Sequence, residues 1–117
     1  MSVQGDNLFA KIIRKEIPSK IVFEDDRVLA FRDIDPKAPT HILLVPKKDI
    51  PRVAGATKDD EALIGHLVVT AAEIARKEGI DATGYRLVIN NGKHAGESVP
   101  HLHLHLLGGR AMEWPPG

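Results

Sequence analysis

His101-Leu-His-Leu-His-Leu-Leu107 is the stretch whose reading decides the fold. Imidazole and leucine alternate with a period of two, the signature of a β-strand with two unlike faces. Leu102, Leu104 and Leu106 share one face and read as core. His101, His103 and His105 share the other, which sets three ionisable rings in a row. Register is strongly specified, because a slip of one residue would bury the imidazoles and expose the leucines. The plain alternative is a half-buried strand whose polar face happens to be histidine. Three in strict alternation count against it.

Such a row limits the chemistry. A strand rises about 3.3 Å per residue, so the outer two α-carbons lie about 13 Å apart. A shared metal ion would need all three rings within about 2.1 Å. Two can converge with help from elsewhere, but three on one straight strand is difficult. A tetrahedral phosphate suits a spread row better, its phosphorus facing the middle ring and its oxygens the flanking ones. Neutral imidazole is a good nucleophile near neutral pH and forms covalent intermediates. A bond from one ring N–H to a carbonyl would leave the other nitrogen free to attack. Phosphoryl transfer asks mainly for positioning and charge stabilisation.

Just upstream, Asn90-Asn-Gly-Lys-His-Ala-Gly-Glu-Ser98 reads as a polar loop leading into the strand. Gly92 and Gly96 permit close backbone approach to a ligand, and Ser98 offers a hydroxyl. Neither GxxxxGK[ST] nor a GxGxxG after a strand is present. Further out, Asp6 or Asn7 can cap a short helix over residues 8–15, with Phe9, Ile12 and Ile13 on one face. Residues 20–23 and 27–31 read as a β-hairpin. Asp33-Ile-Asp-Pro-Lys-Ala-Pro is a loop stiffened by two prolines, and residues 41–45 form a buried strand. Thr57 can cap a long helix whose apolar residues, Leu63, Ile64, Leu67, Val68, Ala71, Ile74 and Ala75, recur near 3.6. Lys77 and Gly79 mark its end. Residues 85–89 are a strand, and the tail from Gly108 is irregular. The fold class this predicts is α+β, a mainly antiparallel sheet with one long and one short helix.

Composition bounds the function. At 117 residues the chain has room for one domain with a modest core. The formal net charge is zero, which argues against a dedicated nucleic-acid binder. A single nucleotide in a local pocket is not affected by that argument. No cysteine is present, so disulfides, thiolate catalysis and cysteine-ligated zinc drop out. No apolar run approaches the roughly 18 residues of a membrane span. The first residues lack the apolar core of a secretory signal, so the expected location is cytoplasmic. Zero net charge leaves self-association unopposed.

His101-Leu-His-Leu-His-Leu-Leu107 resembles the histidine-triad (HIT) motif, and the tail Gly108-Gly-Arg-Ala-Met-Glu-Trp-Pro-Pro-Gly117 resembles the ending of its Hint branch, the histidine triad nucleotide-binding proteins. The stretches from Phe9 to Pro18, from Phe31 to Pro36 and from Ala38 to Ile42 are similar too, so the likeness covers nearly all of residues 1–117 as one HIT domain. The resemblance implies a HIT-like homodimer whose sheets join across the two-fold and whose long helices pair. It implies a phosphoramidase that binds purine nucleoside monophosphates and hydrolyses nucleoside phosphoramidates without metal or other cofactor. His103 then stands at the nucleophile's position. His101, His105 and His41 match the histidines that orient it and relay protons. Ser98 and Asn90 match contacts to the phosphate and leaving group, with Gly96, Glu97 and Val99 beside them on the same loop. Asp33 matches the residue that holds the ribose hydroxyls, and a carboxylate can accept both. Leu8, Phe9, Ile12, Phe31 and Ile34 correspond to the apolar base pocket. Trp114 corresponds to a residue near the partner subunit's site. Two positions depart from the pattern: Pro100 stands where a larger, often aromatic, residue is usual, and His94 is an unexpected base in the phosphate loop. His105 is intact where the uridylyltransferase branch has glutamine, which argues against transfer to a sugar phosphate.

The competing readings are a dinucleoside polyphosphate hydrolase of the same superfamily, a non-catalytic nucleotide-binding dimer, and a histidine-ligated metalloprotein.

Overall fold

The computed structural model describes residues 7–117, and Asp6, one of the two expected caps, lies outside them. Two helices and five strands follow in the order α1 (Leu8–Ile13), β1 (Ile21–Glu24), β2 (Val28–Arg32), β3 (Thr40–Pro46), α2 (Glu61–Glu78), β4 (Tyr85–Val88) and β5 (Leu104–Gly108). The strands form one sheet in the order β1-β2-β3-β5-β4, and every neighbouring pair is antiparallel. The α+β class is as expected.

Asn7 caps α1: its Oδ1 accepts the Ala10 amide at 2.8 Å, satisfying one of the helix's free donors. The helix stops at Ile13, two residues short of expectation, and Lys15 takes a left-handed φ of 63° on the way to Pro18. The hairpin turn is built by Asp25, whose Oδ1 accepts the amides of Arg27 and Val28 at 2.8 Å each. Thr57 does cap, but what it caps is one 3₁₀ turn, Lys58–Asp60; a reciprocal bond from the Thr57 amide to the Asp60 carboxylate closes it, and α2 begins at Glu61. Gly79 ends α2 in the left-handed conformation.

The sheet is covered on both faces. Against α2 it presents Val28, Ala30, Ile42, Leu44, Leu104 and Leu106, packed on Leu67, Ala71, Ile74 and Ala75. Against α1 it presents Leu29, Phe31, Leu43 and Val45, packed on Phe9, Ile12 and Ile13. Burying a leucine such as Leu104 or Leu106 contributes about 1.5–3 kcal/mol each. At Gly108 a Cβ would lie 2.5 Å from Ile80 Cδ1, so a side chain here would force the buried Ile80 to shift.

The strand expected over 101–107 is shorter and shifted: β5 starts at Leu104. The reason is on the neighbouring strand. Leu44 pairs with Leu104, so continuing the ladder would set Pro46 against Leu102. Proline has no N–H to give. The chain turns away instead: the His101 amide bonds to the Val99 carbonyl, and the Leu102 amide to the Ile50 carbonyl at 2.7 Å.

Candidate active site

Burial is a further outcome that differs from expectation. The imidazole face needs no register slip to leave solvent, because α1 already lies across it. His101 is 0% and His103 4% exposed, and the Phe9 ring meets His103 edge-on with centroids 4.8 Å apart. The leucine face is core, as expected. Leu43 pairs with His105, so His41, two residues before Leu43 on β3, falls on the same face and diagonal to His105.

Backbone groups fix the proton positions of His41, His101 and His103, since an amide can only donate and a carbonyl only accept, and His41 in turn fixes that of His105. The Lys37 amide donates to His41 Nδ1 at 3.0 Å, so a neutral His41 carries its proton on Nε2. That proton points at His105 Nδ1, 2.9 Å away, which places the His105 proton on its Nε2. His105 Nε2 is the one buried side-chain polar atom among the described residues with no partner. His103 Nδ1 lies 2.7 Å from the His101 carbonyl and must donate to it, leaving the Nε2 lone pair of His103 uncommitted. His101 Nε2 donates to the Pro46 carbonyl at 2.9 Å, and its Nδ1 faces the Asn7 amide nitrogen at a long 3.5 Å. The residue that caps α1 thus also ties that helix to the first histidine.

Burial keeps His41, His101 and His105 neutral. It is the main cause of a lowered pKa at His41, where the charges of Asp33 and Asp35 oppose it and that of Lys37 assists. It is the main cause at His101 too, against the Pro46 carbonyl and Asp49. His105 is pushed down to about 4, by burial first and then by the rings of His103 and His41, with Asp33 opposing.

Beside the cluster lies a cleft of about 860 Å³, a size suited to a small ligand. The expected base-pocket residues Leu8, Phe9, Ile12, Phe31 and Ile34 line it, together with Asp33, His41, Ser98 and Val99. Ile34 is 99% exposed, an apolar side chain held out over the cleft with no packing of its own. Asp33 Oδ1 accepts the Asp35 amide at 2.8 Å, and its Oδ2 stands 3.5 Å from His41 Nε2. Asn90 is half-buried just beyond β4. Trp114, expected near a partner subunit's site, does not line this cleft: it is 83% exposed, with the Arg86 guanidinium 6.0 Å from its ring centre.

The loop between β4 and β5 is braced from within. Gly92 and Gly96 flank a single 3₁₀ turn, Lys93–Ala95, and Gly96 adopts a φ of 80° that side chains resist. Glu97 Oε1 accepts the Gly92 amide at 3.1 Å, and both carboxylate oxygens take the Arg52 guanidinium at 2.9 Å. This fork holds the Glu97 carboxyl down to about 2, the Arg52 bond being the largest cause and the Gly92 amide the next. The Glu97 carboxylate therefore faces its own loop and Arg52. Lys93 and His94 are exposed on the turn.

Asp33, His41 and His105 each place one ligand-type atom within 4.8 Å of the others, a set of two histidines and a carboxylate. The hydrogen bonds argue against its holding a cation. With the Lys37 amide on Nδ1, His41 has a proton, not a lone pair, on the nitrogen that faces the cluster. Within the set, His41 and His105 form a hydrogen-bonded pair with the Asp33 carboxylate beside it.

Three residues that fix this geometry escape sequence reading. Lys37 acts through its backbone amide, Pro46 through a carbonyl, and Arg52 through a partner 45 residues away. Only Pro46 carried a signal, since a proline closing a strand predicts an interrupted ladder.

The model of the HIT domain matches residues 14–112. An uncharacterised HIT-like protein of Synechocystis sp. is 56% identical over 112 residues, covering 96% of this chain and 97% of its own. Among solved structures, a HIT family hydrolase from Legionella pneumophila superposes with a TM-score of 0.94 at 50% identity, covering 96% of this chain and 100% of that one. A histidine triad protein from Clostridium difficile gives 0.90 at 43% identity, covering 94% and 96%. Among the described residues no helix is long and apolar enough to cross a membrane.

Proposed function

The chain belongs to the HIT domain family, and from that premise we propose that it is a nucleoside phosphoramidase of the Hint branch, hydrolysing the P–N bond of purine nucleoside 5′-phosphoramidates. The observation that carries this reading is the division of labour between two neighbouring rings. His103 is held by the His101 carbonyl so that Nε2 keeps its lone pair, while His105, with ring centres 5.0 Å apart, offers an N–H that has no acceptor. A buried donor without a partner costs about 1–3 kcal/mol, a cost that a ligand oxygen or nitrogen would offset.

In the first step His103 Nε2 attacks phosphorus, the P–N bond breaks, and the departing amine takes the His105 Nε2 proton; the His41–His105 pair is left sharing the one proton between His41 Nε2 and His105 Nδ1 until the second step returns the other. In the second, water attacks the nucleotidyl-histidine, the P–Nε2 bond breaks, and the water's proton returns to the relay as the monophosphate leaves. Asp33 would hold the ribose hydroxyls, and Ser98 and Asn90 the phosphate. The apolar side of the cleft would hold the base. The HIT-family hydrolase with a TM-score of 0.94 supports hydrolysis, and the tail Gly108-Gly-Arg-Ala-Met-Glu-Trp-Pro-Pro-Gly117 supports the branch.

The test uses adenosine and guanosine 5′-phosphoramidates with wild type and His103→Ala, with mass spectrometry of acid-quenched and alkali-quenched samples. We expect turnover to fall on the order of a thousandfold or more in the variant, and an acid-labile adduct on His103 in the wild type. Equal turnover in the two proteins, or an adduct elsewhere, removes His103 from the nucleophile's role. Tight monophosphate binding without turnover would leave a nucleotide-binding protein only. Faster cleavage of a dinucleoside polyphosphate would move the protein to that neighbouring class.

The homodimer belongs to the same proposal. β4 is an edge strand, and Val68 and Val69 on α2, with Tyr85 on β4, are exposed apolar side chains that such an assembly would cover. Sedimentation giving the mass of one chain at micromolar concentration would refute it.

A further inference from the structure

Gly108-Gly-Arg110 follows the histidine strand, and the reaction proposed above leaves it without a task. We propose that Arg110 is a positioning residue that sets the tautomer of His41 through the backbone of Lys37. The proposal's link to turnover rests on the reading that the His41–His105 pair serves the reaction.

The geometry runs from the tail to the relay in three contacts. Arg110 Nε and Nη2 both donate to the Lys37 carbonyl, at 3.2 and 3.0 Å, while Nη1 donates to the Ala111 carbonyl. The same residue's amide donates to His41 Nδ1 at 3.0 Å. His41 Nε2 in turn lies 2.9 Å from His105 Nδ1. Gly109 brings the two segments together: with a φ of 88°, it lies where a Cβ would come 2.9 Å from Pro39 Cβ. Arg110 makes no ion pair among the described residues, so its donors are spent on carbonyls. Two donors of a rigid planar fork on one carbonyl restrain its direction in a way that a lysine ammonium does not. Prolines at 36 and 39 stiffen the loop on either side of Lys37. The guanidinium therefore holds the Lys37 backbone at the angle that aims its amide at His41.

Losing that aim has a definite consequence. Without the amide on Nδ1, His41 is free to carry its proton there. Its Nε2 then becomes an acceptor facing another acceptor, His105 Nδ1. Relief requires His105 to move its own proton to Nδ1, which strips the N–H from Nε2. The leaving amine then has no proton source from this ring.

The test reads ring nitrogens directly, in ¹⁵N-histidine-labelled protein at neutral pH, by long-range ¹H–¹⁵N spectra. In wild type, His41 should show a bare Nδ1 and a protonated Nε2. In Arg110→Ala these signals should move toward a mixture of tautomers, with kcat lowered on the order of tenfold and KM changed by less than about twofold. Arg110→Lys should recover part of both. Arg86→Ala, which frees the tail at the Glu113 carbonyl without touching Lys37, should leave the His41 signals in place. Unchanged His41 nitrogens in a folded Arg110→Ala, or the same change in Arg86→Ala, overturn the proposal. A wild type without turnover would defeat the phosphoramidase reading, and the ring signals would still decide the part played by Arg110.

Discussion

Acid should destabilise this protein through its histidines before its carboxylates respond. His105 is held near 4 in the folded chain, by burial first, and returns to an ordinary value of about 6.5 on unfolding. Between those values the unfolded chain binds more protons than the native one, so stability falls as pH drops. The loss begins near pH 6.5 and levels off below about 4. Linkage for this one ring gives about 2 kcal/mol at pH 5, which we reduce to about 1–2 because the ring keeps some contact with solvent. His41 and His101 are shifted the same way by burial and add to it. The carboxylates act in a lower window. Glu97, held at about 2 mainly by Arg52, contributes stability that is present above about 4.3 and lost as pH falls toward 2. The assay is urea unfolding at about pH 7.5 and about pH 5, at one protein concentration so that any association is constant. Far-ultraviolet dichroism of α2 is the signal, because Trp114 is already exposed and its fluorescence would change little. With a slope of about 2 kcal/mol per molar urea, the midpoint should fall by about 0.5–1 M at the lower pH. Midpoints that agree to within about 0.2 M would refute the claim that these rings are buried neutral.

Three further outcomes follow from single contacts. Glu97→Gln keeps an acceptor for the Gly92 amide but removes the charge that Arg52 grips, so KM for a phosphoramidate should rise on the order of fivefold by steady-state assay. Gly108→Ala puts a methyl group 2.5 Å from Ile80 Cδ1 and should cost about 1–3 kcal/mol in thermal unfolding; adding Ile80→Val should restore part of it. Ile34→Ser alters a side chain that is 99% exposed, so stability should change by less than about 0.5 kcal/mol while KM rises severalfold, and an unchanged KM would remove Ile34 from base binding.

The fold was legible where one physical signal acted alone. The apolar period of residues 63–75 could be met only by a helix with one buried face, and α2 buries Leu67, Ala71, Ile74 and Ala75. Alternation over 102–106 puts leucine on the core side, and Leu102, Leu104 and Leu106 are buried, although the strand itself begins at Leu104. Boundaries failed where a second element intervened. Thr57 carries the same capping signal for a 3₁₀ turn as for an α-helix, since both leave an amide free for its hydroxyl. The start of β5 was set by Pro46, on a strand more than 50 residues earlier, and no reading of 101–107 in isolation contains that fact.

The site was half legible for a deeper reason. Alternation says that the three imidazoles share a side, but not what lies across from them, and the chemistry turns on the latter. Had that face met solvent, each ring would sit near its ordinary pKa and exchange tautomers freely. Instead, α1 covers it, and burial makes neutrality the favoured state of His41, His101 and His105. A neutral ring has one proton and two places for it, so the choice passes to whatever faces each nitrogen. Those partners are the carbonyls of His101 and Pro46, the amide of Lys37 and, at one end, the side chain of Asn7. Three of the four are backbone groups, whose residue type leaves no mark on the sequence. A histidine motif can therefore be read for its row of rings, while the protonation pattern that makes His103 Nε2 a lone pair and His105 Nε2 a donor is written by the fold around it.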